Sequence, residues 1–563
     1  METENMNPNQ NITDTDAKTE INAEPVVGIK PENSSEPAAE TVTEVKTESA
    51  VEKPIPPRHE ELTFYEEHQE LFIQKELPVN IVDDNKPNYI KRMVLCGIYA
   101  IFFTFCMYKT HTGITYPLFA AATIGAYVIS LKALKEKIKG FSIMIMGLIM
   151  LLAINVFTTM SAPLIIFDKI FIFALFFVLF LNTLYDDKTW DTTRFVGAAL
   201  SMITTSFRYI IDPVADFVRI KKSSNDEKGK KKLGNVKYVL LGLVITIPIL
   251  AVVLPLLASS DAVFANLLRN TFSFEINSDV IWIFILTILI FFVGYALLKR
   301  FYVKMGWLQR PVSDKRNGNP AVAITISSVL LVIYAIYSGI QIIFLFLGFG
   351  TLPEGYTYAD YAHEGFFQLV FVCLINLVLV LICRKYSKDN SVLKIMLTCI
   401  CICTYVMLAS SAYRMILYIS VYGLTFLRVY VLWALTVIAL AMAGTITLIY
   451  KANMPFVKYS IVVIAATWAV FGFAHPDRII AAHNLTRHTG EIYVISDLSA
   501  DAVPVIVQYE NSLDKYDQKQ FRWYWKNSRY FRKENDIRKF NLSVYQGRKA
   551  VKNSAVLNAS DDE

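Results

Sequence analysis

Long apolar runs separated by short polar connections dominate the chain from about residue 93 onward. A helix needs roughly 20 mostly apolar residues to cross the hydrocarbon of a bilayer. By that criterion the pattern predicts an all-α polytopic membrane protein with about eleven transmembrane helices. They lie near residues 93–109, 115–134, 141–160, 163–183, 238–258, 279–298, 321–348, 366–383, 395–412, 429–450 and 458–474.

Residues 195–220 are apolar enough to suggest a further span, but two features argue against it. Arg208 would cost about 2.5 to 3.5 kcal/mol near the middle of a bilayer. Asp212 and Pro213 together interrupt a helix in this segment. We therefore expect an amphipathic helix that lies in the plane of the membrane.

Composition agrees with this pattern, because 54% of the 563 residues are hydrophobic and only 18% are charged. Residues 1–57 contain many Glu, Thr, Pro and Asn and almost no aromatic residue, which predicts a disordered cytoplasmic tail without a signal peptide. Residues 58–91 form a juxtamembrane segment, either a short surface helix or a solvated linker. Residues 92–474 are the predicted transmembrane domain, and residues 475–563 are a small, mainly helical tail domain.

Lysine and arginine set the expected orientation. The connections around residues 132–139, 219–237, 299–316, 384–394 and 451–458 are basic, whereas the alternate connections hold few cations. Cytoplasmic loops carry the excess of Lys and Arg, so the basic connections and the N-terminus are expected in the cytoplasm. With eleven spans, the C-terminal tail is then extracytoplasmic, and the location is the cell membrane.

Several polar residues fall inside the apolar runs. Asp168 and Lys169 are adjacent and so should make two separate contacts, with Lys169 reaching the interface. Interfacial anchoring is one interpretation of this pair, and an intramembrane functional site is the other. Gln341 and Asn376 are candidates to line a path, or to form hydrogen bonds between packed helices.

No catalytic, metal or cofactor site emerges from the motifs. The seven cysteines lie in or beside apolar runs, and Cys399, Cys401 and Cys403 point in different directions on a helix. The chain contains no G-x-S-x-G elbow and no Walker-type phosphate loop. We therefore expect no catalytic residue, metal or cofactor, and an enzyme is disfavoured.

Two segments carry a more specific pattern. Residues 411–428 read "SAYRMILYISVYGLTFLR", a polar and aromatic link between two predicted spans, and residues 473–506 read "FAHPDRIIAAHNLTRHTGEIYVISDLSADAVPVI". Together they resemble the bacterial multi-pass membrane proteins of the domain-of-unknown-function family four-one-seven-three / four-one-five-three. The resemblance implies the architecture and a bacterial envelope location, but no activity. The main matching positions are Arg414, Tyr418, Tyr422, Gly423, Arg428, Pro476, Asp477, Asn484, Arg487, Asp501 and Pro504.

Both segments should lie on the same side of the membrane. We therefore hypothesise that Arg414 or Arg428 forms an ion pair with Asp477 at the membrane edge, where screening is weak. The alternative is that each arginine contacts lipid phosphate. Further on, Ser499 and Asp501 have the residue types expected at the start of a helix.

Basic and aromatic residues alternate over residues 515–540 in the tail. Outside a cell this pattern fits anionic lipid or a cell-wall polymer better than nucleic acid, and a plain helical domain with a solvated basic surface is an equal alternative. The other expected partners are the bilayer itself and a membrane protein. The predicted function is that of an uncharacterised envelope sensor or assembly and scaffold protein acting through the C-terminal tail. The alternative is a transporter or channel for a small solute or ion.

Overall fold

In the computed structural model, the described residues are 79–80, 86–110, 112–186, 190–223, 246, 250, 253–254, 256–271, 278–304, 316–343, 366–487, 497–513, 515–527 and 536–554. The expected disordered tail, most of the juxtamembrane segment and most of the span predicted at 238–258 lie outside these residues. All described residues belong to one unit, which runs from Gln74 to Glu563.

Ten helices among the described residues are long and apolar enough to cross a membrane. They correspond to ten of the eleven predicted spans, and the helical fold class is confirmed. They are α1 (Lys86–Met107), α2 (Thr115–Leu134), α3 (Gly140–Thr158), α4 (Ala162–Leu184), α8 (Ser278–Phe301), α9 (Pro320–Gln341), α10 (Phe366–Tyr386), α11 (Ser391–Tyr422), α12 (Phe426–Tyr450) and α13 (Phe456–Phe473).

Shorter helices complete the described part of the chain. They are α5 (Thr192–Ser206), α6 (Asp212–Ser223), α7 (Ala262–Thr271), α14 (Pro476–Arg487), α15 (Val503–Gln508), α16 (Lys515–Asn527) and α17 (Leu542–Lys552). Two short strands, β1 (Val79–Asn80) and β2 (Val303–Lys304), pair in antiparallel fashion.

Polar residues at the helix starts explain several boundaries. Asn390 accepts hydrogen bonds from the first backbone N–H groups of α11, and Asn319 does the same for α9. Thr425 caps α12, and Asp191 caps α5. These side chains satisfy backbone donors that a helix start leaves without partners.

The segment at 195–220 does not form a membrane span. Helix α5 ends at Ser206, a 3₁₀ turn covers Phe207–Tyr209, and α6 starts at Asp212. The break therefore lies where the Asp212–Pro213 pair predicts it. Neither α5 nor α6 is among the helices long and apolar enough to cross a membrane.

Helix α11 is longer than the predicted span. It continues to Tyr422, so the polar and aromatic segment expected as a link between spans instead forms the last turns of the helix. It stops at Gly423, whose φ of 74° and ψ of −177° suit a residue without Cβ.

Nine of the ten membrane helices pack in two groups, and α1 packs against α8 in a smaller cluster of its own. Helices α2, α3, α4 and α13, together with α5 and the end of α8, share one apolar core. Helices α9 to α12 share two further clusters. The groups meet where α12 packs against α13.

The two ends of the helix bundle differ in chemistry. At one end, here called the basic side, Lys139 donates to the carbonyls of Asn182 and Tyr185, and Lys458 donates to the side-chain oxygen of Asn182 at 2.9 Å. Lys385 pairs with Asp191 at the same end. Lys139 precedes the 19-residue helix α3, so the other end of α3 lies about 28 Å away.

The described residues 476–487, 497–513, 515–527 and 536–554 cover that other end, and we call them the cap. A buried apolar cluster joins the end of α11 to α14, to the segment around Ala500–Ile506 and to Phe521 of α16. The cap therefore lies at the opposite end of the bundle from the basic side.

Candidate functional site: the cap joint

One carboxylate connects the cap to the bundle. Asp501 is fully buried, and its Oδ1 accepts from the backbone N–H of Met160 at 2.9 Å and from the hydroxyl of Ser543. Its Oδ2 accepts from Thr159 Oγ1 at 2.5 Å and lies 3.2 Å from His475 Nδ1. We call Asp501 with these four residues the cap joint.

The cap joint draws its donors from three parts of the chain. Thr159 and Met160 form the turn between α3 and α4, His475 lies between α13 and α14, and Ser543 is in the first turn of α17. His475 has a φ of 48°, a left-handed conformation that is uncommon for a residue with Cβ. A backbone held in this region is often part of a functional arrangement.

Hydrogen bonding determines the charge of Asp501. Burial by itself raises the pKa of a carboxyl group, because it disfavours the charged form. The hydrogen bonds from His475, Ser543, Thr159 and the Met160 N–H outweigh burial and hold the pKa of Asp501 below its ordinary value. Asp501 is therefore an ionised carboxylate that hydrogen bonds stabilise.

A second buried carboxyl group lies next to the first. Asp477 Oδ2 accepts from Ser499 Oγ at 2.5 Å and from Ser499 N at 3.2 Å, and Ser499 Oγ in turn accepts from the N–H of Asp501. Burial, followed by the charge of Asp501, raises the pKa of Asp477, although bonds from Ser499 and Ser161 oppose this shift. The two acids thus have pKa values displaced in opposite directions.

Asn541 makes a second polar connection beside the cap joint. Its Nδ2 donates to the carbonyls of Thr112 at 2.9 Å and Thr159 at 3.0 Å, while its Oδ1 accepts from the first N–H groups of α17. The same side chain thus caps a helix of the cap and binds two turns of the bundle.

The matching family positions assemble around these contacts. Asn484 accepts from Leu424 N at 2.7 Å and donates to Leu424 O at 2.9 Å, which joins α14 to the turn after α11. Arg428 donates to the carbonyls of Tyr422 and Gly423 and stacks 4.4 Å from the ring centre of Tyr418. These bonds hold the chain reversal between α11 and α12.

The hypothesised ion pair with Asp477 is not present. Asp477 is bonded to Ser499, and Arg428 instead satisfies carbonyls at the end of α11. Arg414 is a buried side chain of α11. The physical reason is that the α11 end needs donors for its terminal carbonyls, and the nearby arginine supplies them.

Three further family positions have structural placements. Pro476 is buried at the start of α14, and Pro504 lies in the first turn of α15, where its missing N–H costs no hydrogen bond. Arg487 ends α14 and is exposed. Burial of the His483 ring lowers its pKa, and the charge of Arg487 lowers it further. Ser499 caps the turn at Ala500–Ala502, as its residue type predicts.

The intramembrane candidates occupy two different places. Asp168 is fully buried in the bundle and accepts from Asn155 Nδ2 at 2.7 Å and from Trp468 Nε1 at 2.9 Å. Lys169 points elsewhere and lies 5.6 Å from the ring centre of Tyr116. The two residues make separate contacts, and Asp168 is buried among the helices of the bundle.

Gln341 and Asn376 connect neighbouring helices. Ser410 Oγ donates to Gln341 Oε1 at 2.5 Å, and Asn376 Nδ2 donates to Thr404 Oγ1 at 3.0 Å. Tyr334 also donates to Asn376. These hydrogen bonds join the packed helices α9, α10 and α11.

A second charged cluster lies on the basic side, and no sequence motif indicates it. Asp216 of α6 is buried on the basic side and accepts from Lys299 Nζ at 2.9 Å and from the hydroxyl of Tyr295 at 2.8 Å. Arg92 lies 3.6 Å away and is also buried. Lys299 pairs with Asp212 as well.

The cap joint has the chemistry of a structural connection. The hydroxyl groups of Thr159 and Ser543 in the cap joint, and of Ser499 beside it, all donate to carboxylates, so none of them is turned toward His475 as a nucleophile. In the described part of the chain, no group of three or more His, Cys, Asp or Glu residues is placed to hold a metal ion.

Comparison with known families gives one match. Residues 146–509 match the model of a domain of unknown function (DUF4153), which covers well over half of the chain. The match includes α4, the longer part of α3, all of α8 to α14, and Asp501. No curated protein and no solved structure matches the chain.

Proposed function

This chain belongs to the DUF4153 family, and we propose that it is an envelope sensor or assembly protein that receives its partner at the cap. The observation that carries this proposal is the cap joint. A tail that served only as a solvated extension would not need a buried carboxylate to collect donors from three separate segments.

Two membrane helices connect the cap joint to the bundle interior. Helix α3 donates to Asp168 through Asn155, and one turn later Thr159 donates to Asp501. Helix α13 donates to Asp168 through Trp468, and its continuation brings His475 to Asp501. Each helix therefore contacts Asp168, and a residue just beyond the end of each helix contacts Asp501.

This arrangement supports transmission of a force from the cap into the membrane. A displacement of the cap at Asp501 acts on the turn after α3 and on the end of α13. The same two helices hold Asp168, so its hydrogen bonds would change with them. Packed elements of this kind shift between discrete arrangements rather than deforming continuously.

Charge supports the orientation. The basic side carries the lysines and arginines of the short connections, which favour the cytoplasmic face of a cell membrane. The cap lies at the other end of the helices and would face the envelope. A partner there would be a lipid, a cell-wall polymer or a membrane protein.

Transport is the second candidate function, and Asp168 is the observation that favours it. A carboxyl group that is fully buried among membrane helices and has neutral donors is a candidate carrier for a proton or cation. In that case Asp168 would be needed for a solute flux, while the cap joint would be dispensable.

Complementation of a deletion strain tests the proposal. We expect Asp501→Asn to abolish the envelope phenotype that the wild-type gene restores, with normal amounts of protein in the membrane. The matched control is Asp497→Asn, an exposed carboxyl group in the same segment, which should restore the phenotype fully.

Two outcomes separate the candidates. Full activity of a folded Asp501→Asn protein would contradict the sensor proposal. Loss of a solute flux in Asp168→Asn, with the flux retained in Asp501→Asn, would support transport instead.

A further inference from the structure

One turn of the cap exposes a large apolar side chain beside the membrane helices. The 3₁₀ turn Ile537–Lys539 is followed by Phe540, whose carbonyl accepts from Ile114 N at 2.9 Å. Ile537 is 81% exposed, more than any other large hydrophobic residue described. In water, this exposure of an isoleucine is unfavourable.

The contacts of this turn place it at the ends of two membrane helices. Arg538 Nη1 donates to the carbonyl of Phe105 at 3.1 Å, and Phe105 lies two residues before the end of α1. Gly113, in the connection from α1 to α2, packs so closely on the carbonyl of Arg538 that a Cβ there would lie 1.9 Å from it. The turn thus lies beside the ends of α1 and α2.

The neighbouring surface of α1 has the pattern of a lipid contact. Ile98, Ile101 and Phe105 are all exposed and lie on one side of the helix, at a spacing of three and four residues. The Arg538 guanidinium lies 5.7 Å from the Phe105 ring centre. Ile537 precedes Arg538 in the same turn, so an exposed apolar side chain lies close in the chain to this contact with α1.

Cations and an aromatic ring accompany the isoleucine. Arg538, which also pairs with Asp536, and Lys539 follow it directly. Tyr545 is exposed, and its ring centre lies 5.8 Å from that of Phe540. Tyrosine rings at the interface and Lys or Arg beside phosphate groups are typical of residues at a bilayer surface.

We propose that Ile537–Phe540, together with Tyr545, is an anchor that binds the phospholipid surface of the leaflet on the cap side. Ile537 enters the boundary between headgroups and acyl chains, and Arg538 and Lys539 contact lipid phosphate. The anchor explains how the cap keeps its position at the bundle end. It requires only that the helices span a membrane, and it is independent of the sensor role and of which leaflet is outermost.

Thiol accessibility in nanodiscs tests the anchor. The full-length protein carries Ile537→Cys or, as the control, Asn553→Cys at the exposed end of α17, and reacts with a membrane-impermeant maleimide. Wild-type protein provides the background from its seven native cysteines. In nanodiscs of phosphatidylcholine and phosphatidylglycerol, we expect the Ile537→Cys thiol to react at least ten times more slowly than the Asn553→Cys thiol.

Equal rates in the nanodiscs would overturn the proposal, because residue 537 is open to water in the protein alone. Protection in native membranes without protection in nanodiscs would also overturn it, since a component other than phospholipid would then cover the turn. Both substitutions replace exposed side chains, and an unchanged Tm in each variant shows that the rates come from folded protein.

Discussion

Asp501 at the cap joint and Asp216 on the basic side are both buried carboxylates that join distant segments, yet their partners differ. Asp501 has hydroxyl groups, a backbone N–H and the His475 ring. Asp216 has Lys299, Arg92 and the hydroxyl of Tyr295.

This difference bears on how each end of the molecule responds to a perturbation. Opposite charges buried together attract strongly, and removal of one leaves an uncompensated charge in the interior. A carboxylate held mainly by hydroxyl and backbone N–H groups depends more on geometry, because each hydrogen bond is directional and modest in free energy. The basic side is thus the more rigid end of the bundle, and the cap joint is the end better suited to movement.

The largest expected effect is on the basic side. Asp216→Asn should lower the free energy of unfolding by about 3 to 5 kcal/mol, because Lys299 and Arg92 lose a buried countercharge. Thermal unfolding in detergent measures the loss. Asp279→Asn is the control, since the Lys109–Asp279 pair is exposed and screened by solvent and should contribute much less to stability. Equal losses of stability in the two variants would show that Asp216 does not make the basic side more rigid.

At the cap joint we expect a smaller and more local effect. Asp501→Asn places an amide N–H₂ against some of the groups that now donate to Asp501. A buried donor left without an acceptor costs about 1 to 3 kcal/mol. The cap should become sensitive to protease while the membrane helices stay protected, and Asp497→Asn should leave the cleavage rate unchanged. Unfolding of the whole bundle together with the cap would contradict the distinction between the two ends.

Gly423 tests whether the cap side depends on backbone geometry. Its φ of 74° is unfavourable for a residue with Cβ, so Gly423→Ala should cost about 1 to 3 kcal/mol and disturb the turn that Asn484 binds. The matched control is Gly125→Ala in α2, where an added Cβ would meet nothing within 4 Å. Thermal unfolding compares the stability of the two variants. If Gly125→Ala lost as much stability as Gly423→Ala, the positive φ of Gly423 would not explain the loss.

The pH dependence of the cap should be the smallest effect, with opposite signs from its two acids. Asp501 has a lowered pKa, so its stabilisation is present above the ordinary Asp pKa of about 3.9 and is lost as pH falls through the folded value. Asp477 has a raised pKa, so its stabilisation is present below about 3.9 and is lost as pH rises through the folded value.

Cap stability should therefore decline as pH rises from about 4, with a slope of at most about 1.4 kcal/mol per pH unit from Asp477. Asp477→Asn should remove this decline and leave the loss at lower pH, which belongs to Asp501. Protease sensitivity of the cap at a series of pH values measures both. An unchanged slope in Asp477→Asn would assign the decline to another group.

The sequence predicts the membrane helices well because apolar length is a strong signal. Ten of the eleven predicted spans are present in the described residues, and the break at Asp212 is where its Asp-Pro pair indicates. The predicted end of α11 was about ten residues too early. The charged and aromatic last turns of the helix lower the apolar signal without interrupting the helix.

The sites were harder to predict because they depend on pairs of residues far apart in the chain. The residue types around Asp501 predict a helix start, and the resemblance marks Asp501 as a family position, but neither indicates its bond to Thr159, 342 residues earlier. The amphipathic pattern around Asp216 predicts a helix in the membrane plane. The sequence near Asp216 contains no signal for its contact with Lys299. The resemblance to the family indicated which residues matter around Leu424 and Asn484, but the expected partner of Asp477 was wrong.

Side-specific labelling of two matched variants in intact cells tests the central claim that the cap is the part of the protein that faces the envelope. Asn553→Cys lies in the cap, and Asn453→Cys lies in the connection from α12 to α13 on the basic side; both residues are exposed. A membrane-impermeant maleimide should label Asn553→Cys in intact cells and label Asn453→Cys only after permeabilisation. The reverse pattern would place the cap in the cytoplasm and contradict the proposed function.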